Sequence, residues 1–593
     1  MLNDSSILVD GINQIPKQEF LSSLSKLDEN DGTSIIFVEQ HILSCLSRLG
    51  VNLKDLGRDK GVVGIFPFQN EINYVSADNV VYIINPDLSS MRSLVMHLLS
   101  YTQRFANSKP KVLYVPQKTL IAEQVLEDEF KLSQRFPMLQ ISSLDLDYVF
   151  LEEKVFSMEL PLSFKSVFAD GDLSSLTWIA RLLLKFQTSR FGAIPRIRGK
   201  GSNAVKVVQL LQRFQTEVGH DFITDIPSEV HMLLILDRSV DLATPLMTQL
   251  TYEGLVDELY GIENCEVCFP FSLGESSGVG VNEKVVINSG DKMFAEIRDK
   301  NFTAVGSVLY QKSVWVKQNY DKRKEVHQLK ELKEFMKGLS EMQEMHRLIG
   351  IHTNVATEIS KVTQSSEFRK RIVMEHNIIQ QTNEGDVLKY IEDLIFRKEK
   401  FEVVVRLLAL LSLINGGVRE KDLGNIKENM MLVYGIPQVI STFFLLERCG
   451  LLTLQSGKGG NYAAIRKQLQ TWNASLNEER PNDIAYAYSG YASPLVRTVE
   501  MLLRNPQVWD AADGPLNLLS GEKKECTNNA EIAGATKTSI VFVIGGITAS
   551  EISALRFVEE RLSSNGRPHR IIVGTTDVLS GNRMIRSLLP FQP

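Results

Sequence analysis

The chain has 593 residues, which is enough for several domains at about 100–200 residues each. Its 65 lysines and arginines and 71 aspartates and glutamates give a formal net charge of −6, which favours neither nucleic acid nor a polybasic membrane anchor. Five scattered cysteines are typical of a reducing compartment and not of a disulfide framework. The N-terminus carries acids and lacks the apolar core of a signal peptide, so we expect a cytoplasmic protein.

The first part of the chain alternates short β-branched runs with segments of helical spacing. This alternation predicts a parallel sheet covered by helices. We therefore assign residues 1–150 to an α/β domain 1, and residues 151–265 to the first part of a second α/β domain. The predicted strands of these parts are 34–39, 80–85, 111–116 and 232–237.

Residues from about 290 to 475 have apolar side chains at three- and four-residue spacing, which predicts helices almost throughout. Within them we expect long helices that form a protruding hairpin at about 320–365, and only Gly338 and Gly350 interrupt the apolar spacing there. A helix, a short strand, a glycine-rich turn and a second helix predict a small winged-helix-like module at about 420–475. We assign 266–479 to a helical domain 3.

The α/β pattern returns near the C-terminus, with a strand, turn and helix over 538–562 and another strand at 570–576. Residues 480–593 are therefore predicted to complete domain 2, which domain 3 would interrupt. The polar, glycine-, lysine- and asparagine-rich segment 515–538 is predicted to be a disordered loop.

One stretch places charges where α/β enzymes keep their sites. The apolar run Met232–Leu236 ends in Asp237 and Arg238, and Asp241 follows three residues later. Such a run predicts a buried strand that delivers its last side chains to the end of a parallel sheet. The three residues are candidates either for catalysis or for holding the fold together.

Two glycine-containing segments are candidates for binding phosphate. Gly545-Gly546 follows a strand and opens a helix, but Ile547 and Ser550 stand where the dinucleotide fingerprint requires glycine. A glycine turn followed by a capping box of Thr548 and Glu551 is the favoured interpretation. The basic segment 198–206 precedes a helix and could meet an anion, although a solvated loop is the favoured interpretation.

Metal and nucleophile patterns are incomplete. Cys265 and Cys268 form a C-x-x-C pair, but no second pair supplies the two further ligands of a zinc site. No serine lies in a G-x-S-x-G elbow. We therefore expect a protein that is not an enzyme, with no metal, no cofactor and no catalytic residues.

Four blocks of sequence carry a resemblance to a known family. LDRSVDLATPLMTQLTYEGLVDELYGI at 236–262 resembles the signature of the SM family, the syntaxin-binding proteins that chaperone SNARE assembly in membrane fusion. FAEIRDKNFTAVGSVL (294–309), DIAYAYSGYASPLVR (483–497) and IGGITASEISALRF (544–557) resemble further motifs of that family, and most closely its branch in the HOPS and CORVET tethering complexes. The motif positions matched are Asp237, Arg238, Asp241, Tyr252, Arg298, Tyr488, Gly490, Gly545, Gly546 and Glu551.

The resemblance implies an arch-shaped protein of three domains, with parallel-sheet α/β domains 1 and 2 and a helical domain 3 inserted in domain 2. It also implies that the motif residues belong to the framework of domain 2. Arg238 should then be held by acids near the sheet edge, as a buried ion pair with no substrate to turn over.

The resemblance further implies a template that grips SNARE helices, single or bundled, through the hairpin. The candidate contacts are Leu332, Met336, Leu339, Met342 and Met345, and packing of the hairpin itself is the alternative for each of them. A subunit similar to vacuolar protein sorting-associated protein 16 is expected to dock on Tyr434, Ile436 and Gln438, whereas core packing is predicted for Phe443, Phe444 and Leu445.

The chain also departs from the family pattern. Asn85-Pro86-Asp87 replaces a basic cluster, and Ser493 displaces Pro494 by one place, so a local turn should differ. The expected location is peripheral, on late endosome and lysosome or vacuole membranes through HOPS or CORVET partners. A purely structural tether subunit without SNARE contact and an α/β nucleotide-binding enzyme are the alternatives.

Overall fold

The computed structural model describes residues 14–22, 32–50, 61–68, 75–105, 107–219, 227–273, 283–323, 329–455, 460–533, 536–564 and 568–589. The chain divides into two compact units, Met1–Glu159 with Leu176–Arg190, and Leu160–Ser175 with Phe191–Pro593. The second unit contains the segments assigned both to domain 2 and to domain 3. The division into three domains stays a prediction.

The first unit contains a five-stranded parallel sheet in the order β2-β1-β3-β4-β5. The strands predicted at 34–39, 80–85 and 111–116 are confirmed. The strands of this unit are β1 (Ser34–Val38), β2 (Val62–Pro67), β3 (Asn79–Ile84), β4 (Lys109–Tyr114), β5 (Gln140–Ser143), β6 (Val149–Glu152) and β7 (Val155–Ser157). Its helices are α1 (Gln40–Arg48), α2 (Leu88–Arg104), α3 (Leu120–Phe130), α4 (Leu132–Arg135) and α5 (Ser174–Phe186), the last from Leu176 onward.

Alternate residues of these strands enter two cores, one on each face of the sheet. Ile36 on β1 and Ile83 on β3 pack on the side of α1, whereas Phe37 and Tyr82 pack on the side of α2. Because successive strand residues point to opposite faces and both faces are covered, β1 and β3 are nearly continuous apolar runs.

The second unit contains five strands in the order β12-β8-β9-β13-β14. Strands β8, β9, β13 and β14 are parallel to one another, and β12 is antiparallel to β8. Every residue of β9 is buried, as the apolar run predicts. The strands are β8 (Arg196–Lys200), β9 (Met232–Asp237), β12 (Lys523–Thr527), β13 (Lys537–Ile544) and β14 (His569–Thr575), with a separate hairpin of β10 (Glu266–Phe269) and β11 (Glu283–Val286).

The prediction of a disordered loop at 515–538 is wrong, because β12 lies inside it. The cause is two buried cations on β8. The Nε of Arg198 donates to the Glu525 carboxylate of β12 over 3.1 Å, and the amine of Lys200 donates to the carbonyls of Leu519 and Gly521. Buried charges need partners, and this polar segment supplies them.

The second unit also contains helices, which predominate over about residues 290–475, as predicted. They are α6 (Ser202–Val218), α7 (Tyr252–Tyr260), α8 (Lys292–Ile297), α9 (Phe302–Arg323), α10 (Leu329–Thr363), α11 (Ser366–Gln380), α12 (Glu384–Phe396), α13 (Phe401–Asn415), α14 (Glu420–Tyr434), α15 (Ile436–Arg448), α16 (Tyr462–Leu469), α17 (Pro494–Arg504), α18 (Ala549–Ser563) and α19 (Gly581–Ser587). Helix α10 continues through Gly338 and Gly350, in agreement with the prediction of long helices. A glycine costs only about 1 kcal/mol in a helix interior, which the rest of a long helix outweighs.

Helix α13 lies in the largest core of this unit. Eleven of its residues are buried, which explains why its sequence is apolar on all sides. They pack with residues from both flanking parts of the chain, including Leu246 and Met584. None of the helices in the described ranges is long and apolar enough to span a membrane.

Candidate functional site

Arg238 lies fully buried at the carboxyl end of β9. Its Nη1 and Nη2 donate to the two carboxylate oxygens of Glu551 over 2.8 and 3.0 Å, and its Nε donates to the Asp241 carbonyl over 2.8 Å. The Asp241 carboxylate lies 3.4 Å from Nη2. Burial acts to lower the pKa of Arg238, but the Glu551 and Asp241 carboxylates outweigh it and raise that pKa.

Glu551 is positioned by the turn between β13 and α18. Gly545 and Gly546 both have positive φ, and a Cβ on Gly546 would clash with the Leu579 side chain. The turn ends in the capping box that the sequence predicts, with the Glu551 amide donating to Thr548 Oγ1 and the Thr548 amide donating to Glu551 Oε2. The capping carboxylate is thus also the acid that pairs with Arg238.

Ser493 joins the two acids that surround Arg238. Its Oγ lies 2.9 Å from Asp241 Oδ2 and 2.9 Å from Glu551 Oε1. The same oxygen accepts from the Val496 amide and caps α17. The displacement of Pro494 by one place therefore puts a hydroxyl between two buried carboxylates.

Asp237 has a different role from Arg238. Its carboxylate accepts from the Ser239 amide over 3.0 Å and from the Asn203 amide at the start of α6 over 2.8 Å. Burial raises the pKa of Asp237, and these amide hydrogen bonds oppose the rise. The N-terminus of α6, where the basic segment 198–206 could meet an anion, is thus occupied by a carboxylate of the chain itself.

The other motif positions contact neighbouring elements. The Tyr488 hydroxyl lies 2.8 Å from Thr548 Oγ1, so the third of the four blocks meets the fourth, which itself pairs with the first through Glu551 and Arg238. The Tyr252 hydroxyl lies 2.8 Å from His352 Nδ1 on α10. Arg298 is apart from Arg238 and donates twice to Glu253, over 2.9 Å each time.

The arrangement around Arg238 is a closed structural network. Arg238 and Glu551 are wholly buried and paired, so neither can contact a substrate without unfolding of the strand end. Cys265 is buried and Cys268 is exposed, and neither forms a disulfide. Within the described ranges, no group of three or more His, Cys, Asp and Glu residues could hold a metal ion.

The residues predicted to contact SNARE helices lie on α10, which packs against α9. The side chains of Leu332, Met336 and Leu339 lie outside those that the structure describes. Met342 is buried and Met345 is half-buried, and both belong to a core with residues of α9 and α10. Packing of the hairpin, the alternative stated for each residue, therefore accounts for the burial of Met342.

An exposed apolar stripe runs along the end of α14 and one face of α15. Its members are 50–84% exposed; Leu432 lies near the end of α14, and Ile436, Ile440 and Phe444 lie at four-residue spacing on α15. The prediction that Phe444 packs in the core is wrong, whereas Phe443 is buried and Leu445 is half-buried. The spacing of Ile436, Ile440 and Phe444 was the sequence signal for this stripe.

The other two predicted docking residues flank the stripe. Tyr434 is half-buried, and its hydroxyl donates to the Glu399 carbonyl over 2.6 Å while its ring meets Phe401 edge-on. Gln438 is half-buried, and its backbone carbonyl accepts a hydrogen bond from the Thr442 hydroxyl over 2.7 Å. Ile436 is thus the most exposed of the three predicted positions.

Comparisons with known proteins agree with these features. Residues 34–587 match the Sec1 family. The chain is 34% identical to vacuolar protein sorting-associated protein 33A of Rattus norvegicus, with 86% of each chain covered. It is 32% identical to the vacuolar protein-sorting-associated protein 33 homolog of Arabidopsis thaliana, with 94% of each covered.

Solved structures show the same fold at low sequence identity. The SM protein Vps45 in complex with the Qa SNARE Tlg2 matches with a TM-score of 0.57 and 17% identity, over 97% of each chain. The Unc18–syntaxin 1 complex from Monosiga brevicollis matches with a TM-score of 0.57 and 16% identity, over 97% of this chain and 98% of that one. The chain belongs to the Sec1 family of SM proteins, and vacuolar protein sorting-associated protein 33 homologues are among its relatives.

Proposed function

We propose that this chain is the non-enzymatic SM subunit of a HOPS- or CORVET-type tethering complex. It binds SNARE helices, single or bundled, and promotes their assembly in fusion at late endosomes and the lysosome or vacuole. The observation that carries the proposal is the stripe of Leu432, Ile436, Ile440 and Phe444. The relatives of this chain that are named for vacuolar protein sorting support the proposed role at late endosomes and the lysosome or vacuole.

The stripe has the chemistry of a docking surface for a helical partner. Exposed apolar side chains on one helix face cost free energy in water, and a partner helix that covers them recovers it. The Arg448 guanidinium lies over the Phe444 ring, 5.8 Å from the ring centroid, and gives the stripe a polar edge. A subunit similar to vacuolar protein sorting-associated protein 16 is the proposed occupant.

The SNARE-binding part of the proposal rests on the hairpin of α9 and α10. Two solved neighbours are complexes of an SM protein with a Qa SNARE or a syntaxin. On α9 of this chain, Tyr310 and Trp315 are exposed. A rigid hairpin that holds two SNARE helices side by side would lower the entropy cost of forming their bundle.

The docking surface is tested with Ile440→Asp. Purified variant and wild type are titrated with the solenoid of the partner subunit in a calorimeter. We expect binding to weaken by roughly thirtyfold or more, because a central apolar contact contributes at least about 2 kcal/mol. Val373→Asp, an exposed residue on α11, is the matched control and should bind like wild type. Equal binding of Ile440→Asp and wild type would contradict the docking surface.

The SNARE contact is tested separately with Met336→Asp/Leu339→Asp against Gln343→Asp, an exposed position on the same helix. Binding to assembled and partial SNARE bundles is measured after thermal melting has shown that each variant is folded. The double variant should lose binding, and the control should keep it. If wild type binds the partner subunit but no SNARE, the chain is a purely structural tether subunit.

A further inference from the structure

A cleft of about 580 Å³ opens in the second unit, and its lining includes neither Arg238, Asp241 and Glu551 nor any residue of the stripe on α15. It is lined from four places in the chain: Thr303 at the start of α9, His376 on α11, residues 472–474 and 476–479 after α16, and Ser489. Its ten lining residues include Glu478 and Glu479 but no lysine or arginine. Neither the proposed docking nor the proposed SNARE contact uses this cleft.

One wall of the cleft is a fixed indole. Trp472 forms an antiparallel bridge with Tyr491, and its ring lies so close to Gly490 that a Cβ there would be 3.2 Å from it. The His376 ring meets the indole edge-on, at 5.1 Å between centroids. Trp472 is therefore held in one orientation while it still lines the cleft.

The charge of the cleft is negative. Glu478 Oε2 accepts from the Thr303 hydroxyl over 3.1 Å. As far as the described part of the chain goes, neither Glu478 nor Glu479 forms an ion pair with a lysine or arginine, although many other glutamates do. Burial lowers the pKa of His376, so its ring is neutral near pH 7 and adds no positive charge.

The negative charge and the indole of the cleft indicate which chemical group it binds. Carboxylates without a cation repel phosphate and attract ammonium or guanidinium groups. A guanidinium is planar, stacks on an indole and donates two parallel hydrogen bonds to a carboxylate, whereas an ammonium is a compact and more strongly hydrated charge. An indole beside two glutamates that form no ion pair within the described ranges matches the guanidinium better.

We propose that this cleft binds an arginine side chain that a peptide segment of a protein partner presents. The guanidinium would contact Trp472 and donate to Glu478 or Glu479. Asn473 and Asn477 could bond the backbone of the segment. The proposal does not depend on the proposed function, because none of its residues lies on the stripe of α15 or in the predicted SNARE contacts.

The test uses the full chain and three labelled peptides, Gly-Ser-X-Ser-Gly, in which X is arginine, lysine or citrulline. Citrulline has nearly the shape of arginine without its charge. Fluorescence anisotropy should show saturable binding of the arginine peptide at millimolar or lower concentration, and roughly tenfold weaker binding of the citrulline peptide. The lysine peptide should also bind more weakly than the arginine peptide. Equal affinity of the arginine peptide and either of the others would overturn the assignment, and so would no binding.

Two variants locate the contact. Glu478→Gln/Glu479→Gln keeps side-chain size and should weaken the arginine peptide roughly tenfold. Glu420→Gln/Glu428→Gln removes the same charge at exposed positions of α14 and should leave affinity unchanged. If the two double variants bind alike, the peptide responds only to net charge and the cleft is not its site.

Discussion

At the scale of single residues, the pairing of Arg238 with Glu551 gives the largest expected effect. Glu551→Ala would leave a fully buried guanidinium without its main carboxylate and would remove the capping box of α18. We expect a loss of roughly 3–5 kcal/mol in the free energy of unfolding. Urea unfolding measures it, with the exposed Glu560→Ala on the same helix as the control, which should change stability by less than about 0.5 kcal/mol.

The sequence predicted this pair only in part. The resemblance to SM proteins implied that Arg238 is held by acids, and the residues themselves predicted the capping box at Glu551. Nothing in the sequence connected the two, because they are separated by 313 positions and a capping box is a local pattern. Long-range pairs of this kind follow from the order of strands in the sheet, which the sequence did not define.

Glu39 gives a prediction about pH. Burial raises the pKa of Glu39 to about 7, and Asp87 adds to the rise. An unfolded glutamate has a pKa of about 4.3, so the folded state binds the proton more tightly between about pH 4 and 7. Wild-type stability should therefore fall as the pH rises through this window. Glu39→Gln cannot ionise and should lack this fall.

The measurement is the difference in unfolding midpoint between Glu39→Gln and wild type at several pH values. The difference should shift in favour of the variant as the pH rises from about 4 to about 7. The exposed Glu153→Gln controls for the loss of one charge. A difference that stays constant with pH would show that Glu39 does not titrate in this range.

At the scale of elements, the turn between β13 and α18 explains why two glycines stand together. Gly546 has a φ of 101°, and its missing Cβ makes room for Leu579. Gly546→Ala should destabilise the protein by at least about 1–3 kcal/mol through backbone strain and the clash. Gly424→Ala, inside α14 with nothing within 4 Å, should instead stabilise it by about 0.5–1 kcal/mol. Thermal melting of the two variants should therefore shift in opposite directions.

The elements show where pattern reasoning succeeds. Buried strands such as β9 were predicted because an apolar run bounded by polar residues marks them. The edge strand β12 was missed because its residues are lysines, a glutamate, a cysteine and a threonine. Such a strand is held by backbone pairing and by the buried cations of β8, neither of which has a periodic signature.

At the scale of the whole chain, the second unit combines two distant segments with the helices between them. Residues of α13 pack with Leu246 before the helices and with Met584 after them. We expect α13 and the sheet to unfold together. Leu408→Ala, at a fully buried position of α13, should cost about 2–5 kcal/mol. Hydrogen exchange should then show loss of protection in peptides of α13, β13 and α19 alike.

Leu432→Ala is the control for this experiment, because the same substitution at a mostly exposed position should change stability by less than about 0.5 kcal/mol. Loss of protection confined to α13 would contradict a shared core. The sequence predicted the interruption of the α/β pattern by helices, but not this common core, because packing between elements is not a property of any one element.

The order of strands in the second unit has a consequence for synthesis on the ribosome. The central strand β9 ends at Asp237, and its neighbour β13 begins at Lys537, about 300 residues later. At a synthesis rate of about 5–20 residues per second, β9 remains without that partner strand for about 15–60 s. During this time the unpaired backbone N–H and C=O groups of this largely apolar strand can pair with another nascent chain. Production of this protein should therefore depend on chaperones that shield β9 until the last strands emerge.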